Sequence, residues 1–394
     1  MRILLLCDRY PNSYRDGLLL RVLHLARRLR QRHRIDLLCY HAGDITGEPP
    51  TIFEKIWTTP APPRHSPRGW LGALAGWDPR HLYPESPEIA RLLDTEIDPA
   101  DYDVVWDAGA SLFPQLPARW DKVPVVADLV DDMVLTFWRA VRNTPSLGGK
   151  LRNLKYLTIN LLFERHCMRR TAHCCVVSED DARFFSRVSP KVPVSVIQNG
   201  VDVDFFTPGD QPTIPGRLVF EGTMAFLPNQ EAALYLVQEI MPRIWAERPD
   251  ATLTLVGRDP PPAIQALASE RVKVTGAVED IRPYVREAEV FVCPLQSGAG
   301  IKNKILQAWA MGKAVVATSL SVGGLGAQND VNIVVRDGAT VIAETVLDLL
   351  SNPQKRLQLS TNGRAAVIRA FTWETHAESF ESLLDSHARE YHPA

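Results

Sequence analysis

Short apolar runs and longer amphipathic segments alternate along this chain. The runs Ile3–Cys7 and Ile35–Tyr40 are mostly apolar, as the strands of a buried parallel sheet are. Between them, Leu18–Arg32 carries apolar residues at helical spacing. A strand, a helix and a second strand in this order predict a right-handed βαβ unit at the start of the chain.

The same alternation continues through residue 200. We predict further strands at Val104–Trp106, Val125–Asp128, His173–Val177 and Val194–Gln198, and helices at Ser86–Glu96, Arg152–Arg170 and Glu179–Val188. A stretch rich in proline and glycine, Val201–Arg217, then interrupts the pattern. Alternation of this kind is typical of an α/β domain with a parallel sheet.

The pattern restarts after this stretch. Strands are predicted at Leu218–Glu221, Thr252–Val256, Val272–Thr275, Val290–Pro294, Ala314–Ala317 and Asn332–Val335, and helices at Gln230–Glu247, Ile281–Glu287, Lys302–Met311, Thr340–Leu350 and Thr372–Arg389. We therefore predict a first domain over residues 1–200, a linker over 201–217 and a second domain over 218–371. A helix within 372–394 is expected to pack back towards the first domain. Open parallel sheets bind ligands at the carboxyl ends of their strands, so the ligand site is expected in a cleft between the domains.

Composition and charge narrow the possible functions. A net charge of −2, from 44 basic and 46 acidic residues, does not favour binding to nucleic acid. The six cysteines lack metal-ligand spacing and lie mostly in apolar runs, which indicates buried, reduced thiols. The sequence shows neither a secretory leader pattern nor an apolar run of about 18 residues, so we expect a cytoplasmic protein.

A glycine-containing loop between a strand and a helix carries the clearest chemical signal. Ser297-Gly298-Ala299-Gly300 follows a predicted strand, and a helix starts just beyond it. Backbone N–H groups of such a loop, together with the helix dipole, form an anion site. Lys302 and Lys304 add positive charge where a helix disfavours it, unless an anion is bound there. This arrangement predicts a diphosphate ligand; the alternative is a solvated lysine pair at a helix start.

Residues 290–318 resemble the donor loop and helix of retaining, group-one GT-B glycosyltransferases. The similarity is closest to sugar transferases of bacterial exopolysaccharide systems, which share a Gly-Ile-Lys-x-Lys loop. The matching positions are Gly300, Leu306, Ala308, Ala310, Gly312, Val315 and Val316. Two family glutamates are replaced, one by Ala299 and the other by Gln307, which would bind the ribose hydroxyls as a neutral group. The resemblance implies that the loop backbone binds the donor diphosphate.

Other segments fit the same resemblance. They are Phe220–Met224 with Pro228-Asn229, Leu255–Gly257, Thr275–Asp280 and the turn Asn199–Asp202. The family's arginine and lysine near the first of these are missing between Gly222 and Asn229, so we expect Lys302 and Lys304 to supply that charge. The resemblance implies a set of donor-binding residues: Gly222, Thr223, Asn229, Gly257, Gly276, Val278, Gly300, Ile301, Lys302, Lys304, Ile305 and Gln307.

The first domain gives weaker signals for an acceptor site. By resemblance, Tyr14, Arg15 and Gly17, after the first strand, are expected on the acceptor side. Asp131 and Asp132 follow another strand, and either could orient the acceptor hydroxyl or accept its proton. The alternative is that they cap the following helix. With Lys304, which would stabilise the leaving diphosphate, they form the predicted catalytic set.

Two basic regions and an apolar loop suggest contact with an anionic membrane. The first comprises Arg21, Arg27, Arg28, Arg30, Arg32, His33 and Arg34; the second comprises Lys150, Arg152, Lys155, Arg165, Arg169 and Arg170. Residues 68–77 contain Trp70, Leu71, Leu74 and Trp77. Such patches suit peripheral binding at the inner membrane face. The alternative is a solvated helix face and a core loop.

Together these features predict a GT-B fold of class α/β, with two Rossmann-like domains whose parallel sheets face each other across a cleft. The expected activity is transfer of a hexose, with retention, from a nucleotide sugar (a UDP- or GDP-sugar) to a saccharide or lipid-linked acceptor, in polysaccharide or glycoconjugate synthesis. We expect neither a metal nor another cofactor. The alternatives are a natural-product glycosyltransferase, a non-catalytic partner of an active transferase, which Gln307 would favour, and a sugar-nucleotide epimerase or hydrolase.

Overall fold

The computed structural model describes residues 1–11, 17–41, 51–61, 86–130, 132–143, 147–210, 212–298 and 301–391. The chain divides into two units by its internal contacts. The first consists of Met1–Gln198 together with the segment that starts at Glu374, and the second is Asn199–Trp373. Each unit is built around its own parallel sheet.

The first unit contains a seven-stranded sheet in the order β3-β2-β1-β4-β5-β6-β7. Its strands are β1 Arg2–Cys7, β2 Arg34–His41, β3 Ile56–Pro60, β4 Val104–Ala108, β5 Val125–Val130, β6 His173–Val176 and β7 Val194–Val196. Every strand pair in it is parallel. The central strand β1 is buried from Ile3 to Cys7, as expected for a strand covered on both faces.

Five helices of this unit are α1 Gly17–Leu29, α2 Pro87–Arg91, α3 Met133–Asn143, α4 Leu147–His166 and α5 Glu179–Val188. A π-helical turn, Leu92–Glu96, continues α2. The apolar face of α1 is buried at Val22, Leu25 and Ala26. This burial explains why the apolar residues of the segment occur at helical spacing. Ser178 caps α5 by accepting a hydrogen bond from the N–H of Asp181.

A long C-terminal helix, Trp373–Tyr391, contributes most of its length to the first unit. The ring of Phe380 packs edge-on against Trp106 of β4, with centroids 5.0 Å apart. Glu381 binds Nε2 of His33 at 2.7 Å, and Glu374 forms an ion pair with Arg28. The first unit is therefore formed from two separate parts of the sequence.

The second unit contains a six-stranded parallel sheet in the order β10-β9-β8-β11-β12-β13. Its strands are β8 Arg217–Glu221, β9 Thr252–Val256, β10 Val272–Val274, β11 Val290–Cys293, β12 Ala314–Ala317 and β13 Val334–Val335. Its helices are α6 Leu227–Tyr235, α7 Met241–Glu247, α8 Pro262–Gln265, α9 Arg282–Glu287, α10 Asn303–Ala310, α11 Ala339–Ser351 and α12 Pro353–Ala370. In chain order, Trp373–Tyr391 is α13.

A close contact between two helices marks the core of the second unit. Gly363 of α12 lies against the fully buried indole of Trp309 in α10. A Cβ atom at Gly363 would lie 2.5 Å from Cδ1 of Trp309, which is closer than packed atoms approach. Glycine is therefore required at this position by space.

The predicted parallel sheets are confirmed, and three elements were missed. Among the labelled elements these are β3, α8 and α12, whereas α3 was named without bounds, as the helix that Asp131 and Asp132 could cap. The helix expected at Arg152–Arg170 begins earlier, at Leu147, and its last residues form a separate turn at Met168–Arg170. The predicted helix Gln230–Glu247 is interrupted by a π-helical segment, Leu236–Ile240. Most residues of α4 before residue 157 are exposed. The start of this helix therefore lacks the helical spacing of buried apolar residues by which a helix is predicted from sequence.

Candidate functional site

Two glycines at the carboxyl ends of β8 and β9 define one edge of the second sheet. Gly222 follows β8 and Gly257 follows β9, and the preceding residues Glu221 and Val256 are paired in register. A Cβ atom at Gly257 would lie 1.8 Å from the carbonyl oxygen of Gly222. Only glycine permits this contact, so the two strand ends present bare backbone at the position where parallel sheets bind ligands.

The ammonium group of Lys304 is held at this same edge. Its Nζ donates to the carbonyl oxygen of Glu221 and to Oδ1 of Asn229, both at 2.7 Å. It also lies 4.5 Å from the ring centroid of Phe220. A Cβ atom at Gly222 would lie 2.6 Å from this Nζ, so the glycine makes room for the charge. Four predicted donor residues, Gly222, Asn229, Gly257 and Lys304, are thus brought together.

Lys304 is in the first turn of α10, next to the helix N-terminus. Lys302 precedes the helix and its side chain is largely buried. Gly298 has a left-handed backbone, with φ of +106°, and packs on Pro228. A helix N-terminus with lysines beside it concentrates positive potential, which suits a bound anion. Desolvation raises the pKa of the Glu221 carboxyl, and the charge of Lys304 partly offsets that rise.

Arg258 is a cation of this edge that the sequence analysis missed. Its side chain is 52% exposed, and its Nε lies 3.5 Å from Oγ1 of Thr223. The family's arginine was expected only between Gly222 and Asn229, whereas Arg258 follows Gly257 after the neighbouring strand β9. A basic residue directly after a strand-end glycine was the available signal.

The remaining predicted donor residues differ in their surroundings. Gly276 has a left-handed φ of +69° with open space beside it, and Val278 is half-buried against the core. Gln307 and Ile301 are partly exposed. Ile305 is a correction: its side chain is fully buried in the core and its N–H donates to the carbonyl of Lys302, so neither is available to a donor. Gly300 lies outside the described residues.

The predicted acceptor residues are only partly described. Tyr14, Arg15 and Asp131 lie outside the described residues, and Gly17 begins α1 with open space beside its Cα. Asp132 is fully buried, and its Oδ1 accepts a hydrogen bond from the N–H of Leu135 at 2.7 Å. This geometry is that of a helix cap for α3. A role for Asp132 as a base stays a prediction.

A buried ion pair lies near the carboxyl ends of the first sheet. Nε of Arg21, in α1, donates to Oδ2 of Asp128, in β5, at 2.8 Å, and both side chains are fully buried. Arg21 also donates to the carbonyl of Gln198 at 3.2 Å. This corrects the prediction that Arg21 belongs to a surface basic patch. Removing one partner of such a pair leaves an uncompensated buried charge.

Asp107 of β4 is a second buried acid of this sheet. Its Oδ2 accepts hydrogen bonds from the N–H groups of Leu112 and Phe113, at 3.1 and 2.6 Å. Burial raises the pKa of this carboxyl to about 8, although the two hydrogen bonds act against the rise. The bonds fix the loop that follows β4, so Asp107 has a positional role.

Two searches of the described residues bear on the expected partners. Within them, no group of three or more His, Cys, Asp or Glu side chains is placed to hold a metal ion. Independence of metal stays a prediction. In the same part of the chain, no helix has the length and apolar character needed to cross a membrane.

Two family models match consecutive parts of the chain. Residues 16–205 match the model described as Glycosyltransferase Family 4, and residues 215–352 match the model described as Glycosyl transferases group 1. The second range contains Gly222 and Gly257 at the sheet edge, together with Lys304 and α10. The first contains the Arg21–Asp128 pair.

Solved structures share the fold over nearly the whole chain. The structure of Anabaena Alr3699/HepE in complex with UDP superposes with a TM-score of 0.65 at 17% identity, covering 98% of this chain and all of the other. Sucrose-phosphate synthase from Thermosynechococcus elongatus gives a TM-score of 0.70 at 16% identity, covering 98% and 99% of the two chains. The chain thus matches two glycosyltransferase models in succession, and its fold is consistent with the GT-B fold.

One curated relative is similar in sequence. It is the GDP-mannose-dependent monoacylated alpha-(1-6)-phosphatidylinositol monomannoside mannosyltransferase of Corynebacterium glutamicum, 28% identical over 229 residues. The match spans 52% of this chain and 60% of the relative's length. The relative's donor and acceptor are therefore not assigned to this chain by the match.

Proposed function

We propose that this protein transfers a hexose from a nucleotide sugar to an acceptor hydroxyl. The observation that carries the proposal is the ammonium of Lys304, fixed between the end of β8 and the N-terminus of α10. A fixed cation beside a helix N-terminus suits the diphosphate of a nucleotide sugar. The bare backbone at Gly222 and Gly257 lets a ligand approach the sheet edge closely.

Transfer breaks the bond between the sugar anomeric carbon and the diphosphate oxygen and forms a bond to the acceptor oxygen. The acceptor loses its proton, and the nucleoside diphosphate leaves with the extra negative charge. Lys304, Arg258 and the N–H groups at the start of α10 would stabilise that charge without a metal or another cofactor. Asp131 or Asp132 remains the proposed acceptor of the proton. Retention of configuration is proposed from the resemblance described above.

The donor is proposed to be a UDP- or GDP-hexose. The name of the curated relative specifies GDP-mannose, and related folds are described in complex with UDP and with UDP-glucose. Gln307 follows Lys304 by three positions, on the same side of α10, where it would bind the ribose hydroxyls as a neutral group. The proposed acceptor is a saccharide or a lipid-linked sugar, in polysaccharide or glycoconjugate synthesis.

Thermal unfolding with nucleotides tests the donor site. A ligand at 100 times its Kd stabilises the folded protein by about 2.7 kcal/mol, which raises the unfolding midpoint by a few degrees. We expect UDP or GDP and its hexose conjugate to raise the midpoint, and CMP to leave it unchanged. Product analysis of the responding sugar nucleotide with saccharide and lipid-linked acceptors then tests transfer and anomeric configuration.

The alternative of a non-catalytic partner protein makes a different prediction. It requires that no nucleotide shifts the midpoint of the natural protein, while Gln307→Glu restores a response. Binding to both proteins with turnover by the natural one supports the proposal. If no nucleotide binds to either the natural protein or Gln307→Glu, the proposed function is contradicted.

A further inference from the structure

The helices α3 and α4 form a surface with an unusual charge distribution. From Met133 to Phe163 the sequence contains no aspartate or glutamate, but it contains Arg139, Arg142, Lys150, Arg152 and Lys155. The whole chain has nearly equal numbers of acidic and basic residues, 46 and 44, so this segment departs from the average. One of these cations, Arg139, forms an ion pair with Asp180 at 3.4 Å. The remaining excess of positive charge favours an anionic partner.

Exposed leucines form a stripe along the first part of α4. Leu147, Leu151 and Leu154 are 75%, 59% and 47% exposed. Their spacing of four and three residues places them on one face of the helix. Lys150 and Lys155 are exposed and fall at the two edges of that face. An apolar stripe bordered by lysines is typical of a helix lying in a membrane surface.

The opposite face of α4 is the one that packs on the protein. The ring of Tyr156 stacks on Phe137 of α3, with centroids 5.2 Å apart, and Asn153 is buried. On α3, Trp138 is partly exposed, with the guanidinium of Arg142 4.7 Å from its ring centroid. The leucine stripe is therefore not needed to hold the two helices together. An indole beside an arginine also suits the headgroup region of a lipid layer.

The other basic region found in the sequence has a different environment. Arg28, in the last turn of α1, pairs with Glu374, and Arg32 and His33, which follow the helix, both bind Glu381. Two carboxylates of α13 thus compensate part of its positive charge. The observed ion pairs favour α4 over α1 as the surface for an anionic partner.

We propose that the α3–α4 surface binds an anionic phospholipid membrane. The stripe Leu147, Leu151 and Leu154 enters the headgroup region, and the flanking basic side chains lie against lipid phosphates. This inference goes beyond the donor site and does not depend on donor binding. It would bring the protein to lipid-linked acceptors by peripheral contact with the membrane surface.

A fluorophore attached at the stripe tests the contact directly. All six native cysteines are buried, so a new surface cysteine can be labelled selectively with a maleimide dye. Leu151→Cys reports on the stripe, and Leu357→Cys, at a leucine 66% exposed on α12, is the matched control. Vesicles of phosphatidylcholine with about one third phosphatidylglycerol should shift the emission of the first dye to the blue and leave the second unchanged.

Variants then test the two parts of the surface. Replacing Leu147, Leu151 and Leu154 by serine should weaken binding to these vesicles at least about tenfold, because the apolar contact is lost. Lys150→Gln with Arg152→Gln should reduce binding and its dependence on salt. Leu357→Ser with Ile368→Ser is the control and should bind as the natural protein does. Because all these side chains are exposed, unfolding midpoints should stay similar.

Three outcomes would overturn the proposal. The first is equal binding of natural and triple-serine proteins to anionic vesicles. The second is equal binding of the natural protein to pure phosphatidylcholine. The third is a change of oligomeric state in the triple-serine protein without vesicles, which would identify the stripe as a contact between copies of this chain. Failure of nucleotides to bind leaves all three comparisons intact, so this proposal and the proposed function can fail separately.

Discussion

The position of the Lys304 ammonium depends on the absence of a side chain at the neighbouring Gly222. Its ammonium fits beside β8 because Gly222 has no Cβ, and it is oriented by Asn229 and the carbonyl of Glu221. Burial raises the pKa of the neighbouring Glu221 carboxyl, and the charge of Lys304 offsets part of that rise. The positive charge is thus fixed in place before a ligand arrives, which is how an electrostatic site avoids reorganisation during the reaction.

Replacing this lysine tests its role in transfer. Lys304→Gln keeps a hydrogen-bond donor but removes the charge that would stabilise the departing diphosphate. We expect kcat/KM to fall by about 10²- to 10³-fold. Lys355→Gln, at an exposed ion pair with Asp348, is the control and should change kcat/KM little. A Lys304→Gln enzyme with unchanged kcat/KM would exclude this assignment.

Whether replacing a helical glycine by alanine raises or lowers the free energy of unfolding depends on the space beside it, and the Gly363–Trp309 contact tests this. Alanine normally stabilises a helix relative to glycine, but at Gly363 the added methyl would overlap the buried indole. Gly363→Ala should lower the free energy of unfolding by about 1–3 kcal/mol. Gly148→Ala, where nothing lies within 4 Å, should raise it by up to about 1 kcal/mol. Urea unfolding of both variants measures the difference, and equal effects would contradict the packing argument.

At the scale of elements, α3 is held at its N-terminus by two acids from different parts of the chain. Asp132 caps it directly, and Glu164, near the end of α4, accepts from the N–H of Val134. Burial raises the pKa of Glu164 to about 9, and repulsion by Asp132 adds to the rise. Burial likewise raises the pKa of Asp132 to about 6. The buried carboxyl of Glu164 therefore links the end of α4 to the start of α3.

The pH dependence of stability follows from Glu164. The folded protein keeps a proton that the unfolded chain releases above a pKa of about 4.5, so the free energy of unfolding falls as pH rises from about 4.5 to 9. Glu164→Gln retains an acceptor and cannot ionise, so its stability should decline less over this range. Urea unfolding between pH 5 and 9 provides the measurement. Glu247→Gln, at an exposed site, should keep the natural slope; a natural slope for Glu164→Gln would refute the mechanism.

Elements differ in how well the sequence predicts them, and the reason is burial. Strands such as β9 and β12 were predicted at their observed ends because they are covered on both faces. Helix α3 was anticipated only as the helix that Asp131 and Asp132 could cap, without bounds. Helix α4 was placed late because its first turns face solvent. In the site, Lys304 was predicted from the strand–loop–helix pattern, and Gly222 and Gly257 were predicted from the resemblance to the family. Arg258 and the Arg21–Asp128 pair were not, because tertiary contacts between separate segments create them.

At the scale of the molecule, α13 joins distant sequence to the first unit. Phe380 packs on Trp106, Glu381 binds His33, and Nε2 of His387 lies 3.1 Å from Nδ1 of His173. Phe380 and Trp106 are both fully buried, so this helix is part of the core and is not an accessory tail.

Removing α13 should therefore affect one unit more than the other. A chain ending at Trp373 exposes the faces of Trp106 and His173 to water. In hydrogen exchange, peptides covering β4 and β6 should lose protection, and peptides covering β11 and β12 should keep it. Phe380→Ala should act in the same direction, with a loss of about 3–5 kcal/mol. Equal loss of protection in both sheets would show that the division into units does not describe stability.

The first unit is formed from two separate segments of the chain, and this has a consequence during protein synthesis. Its opening strands leave the ribosome early, but the helix that covers Trp106 is made only after residues 199–373 have been translated. At about 5–20 residues per second, this interval lasts on the order of ten seconds or more. During this interval the apolar face of the nascent first sheet that α13 will cover remains exposed, while the second unit can already fold. Chaperone dependence of the newly made chain should therefore be concentrated on its earliest part.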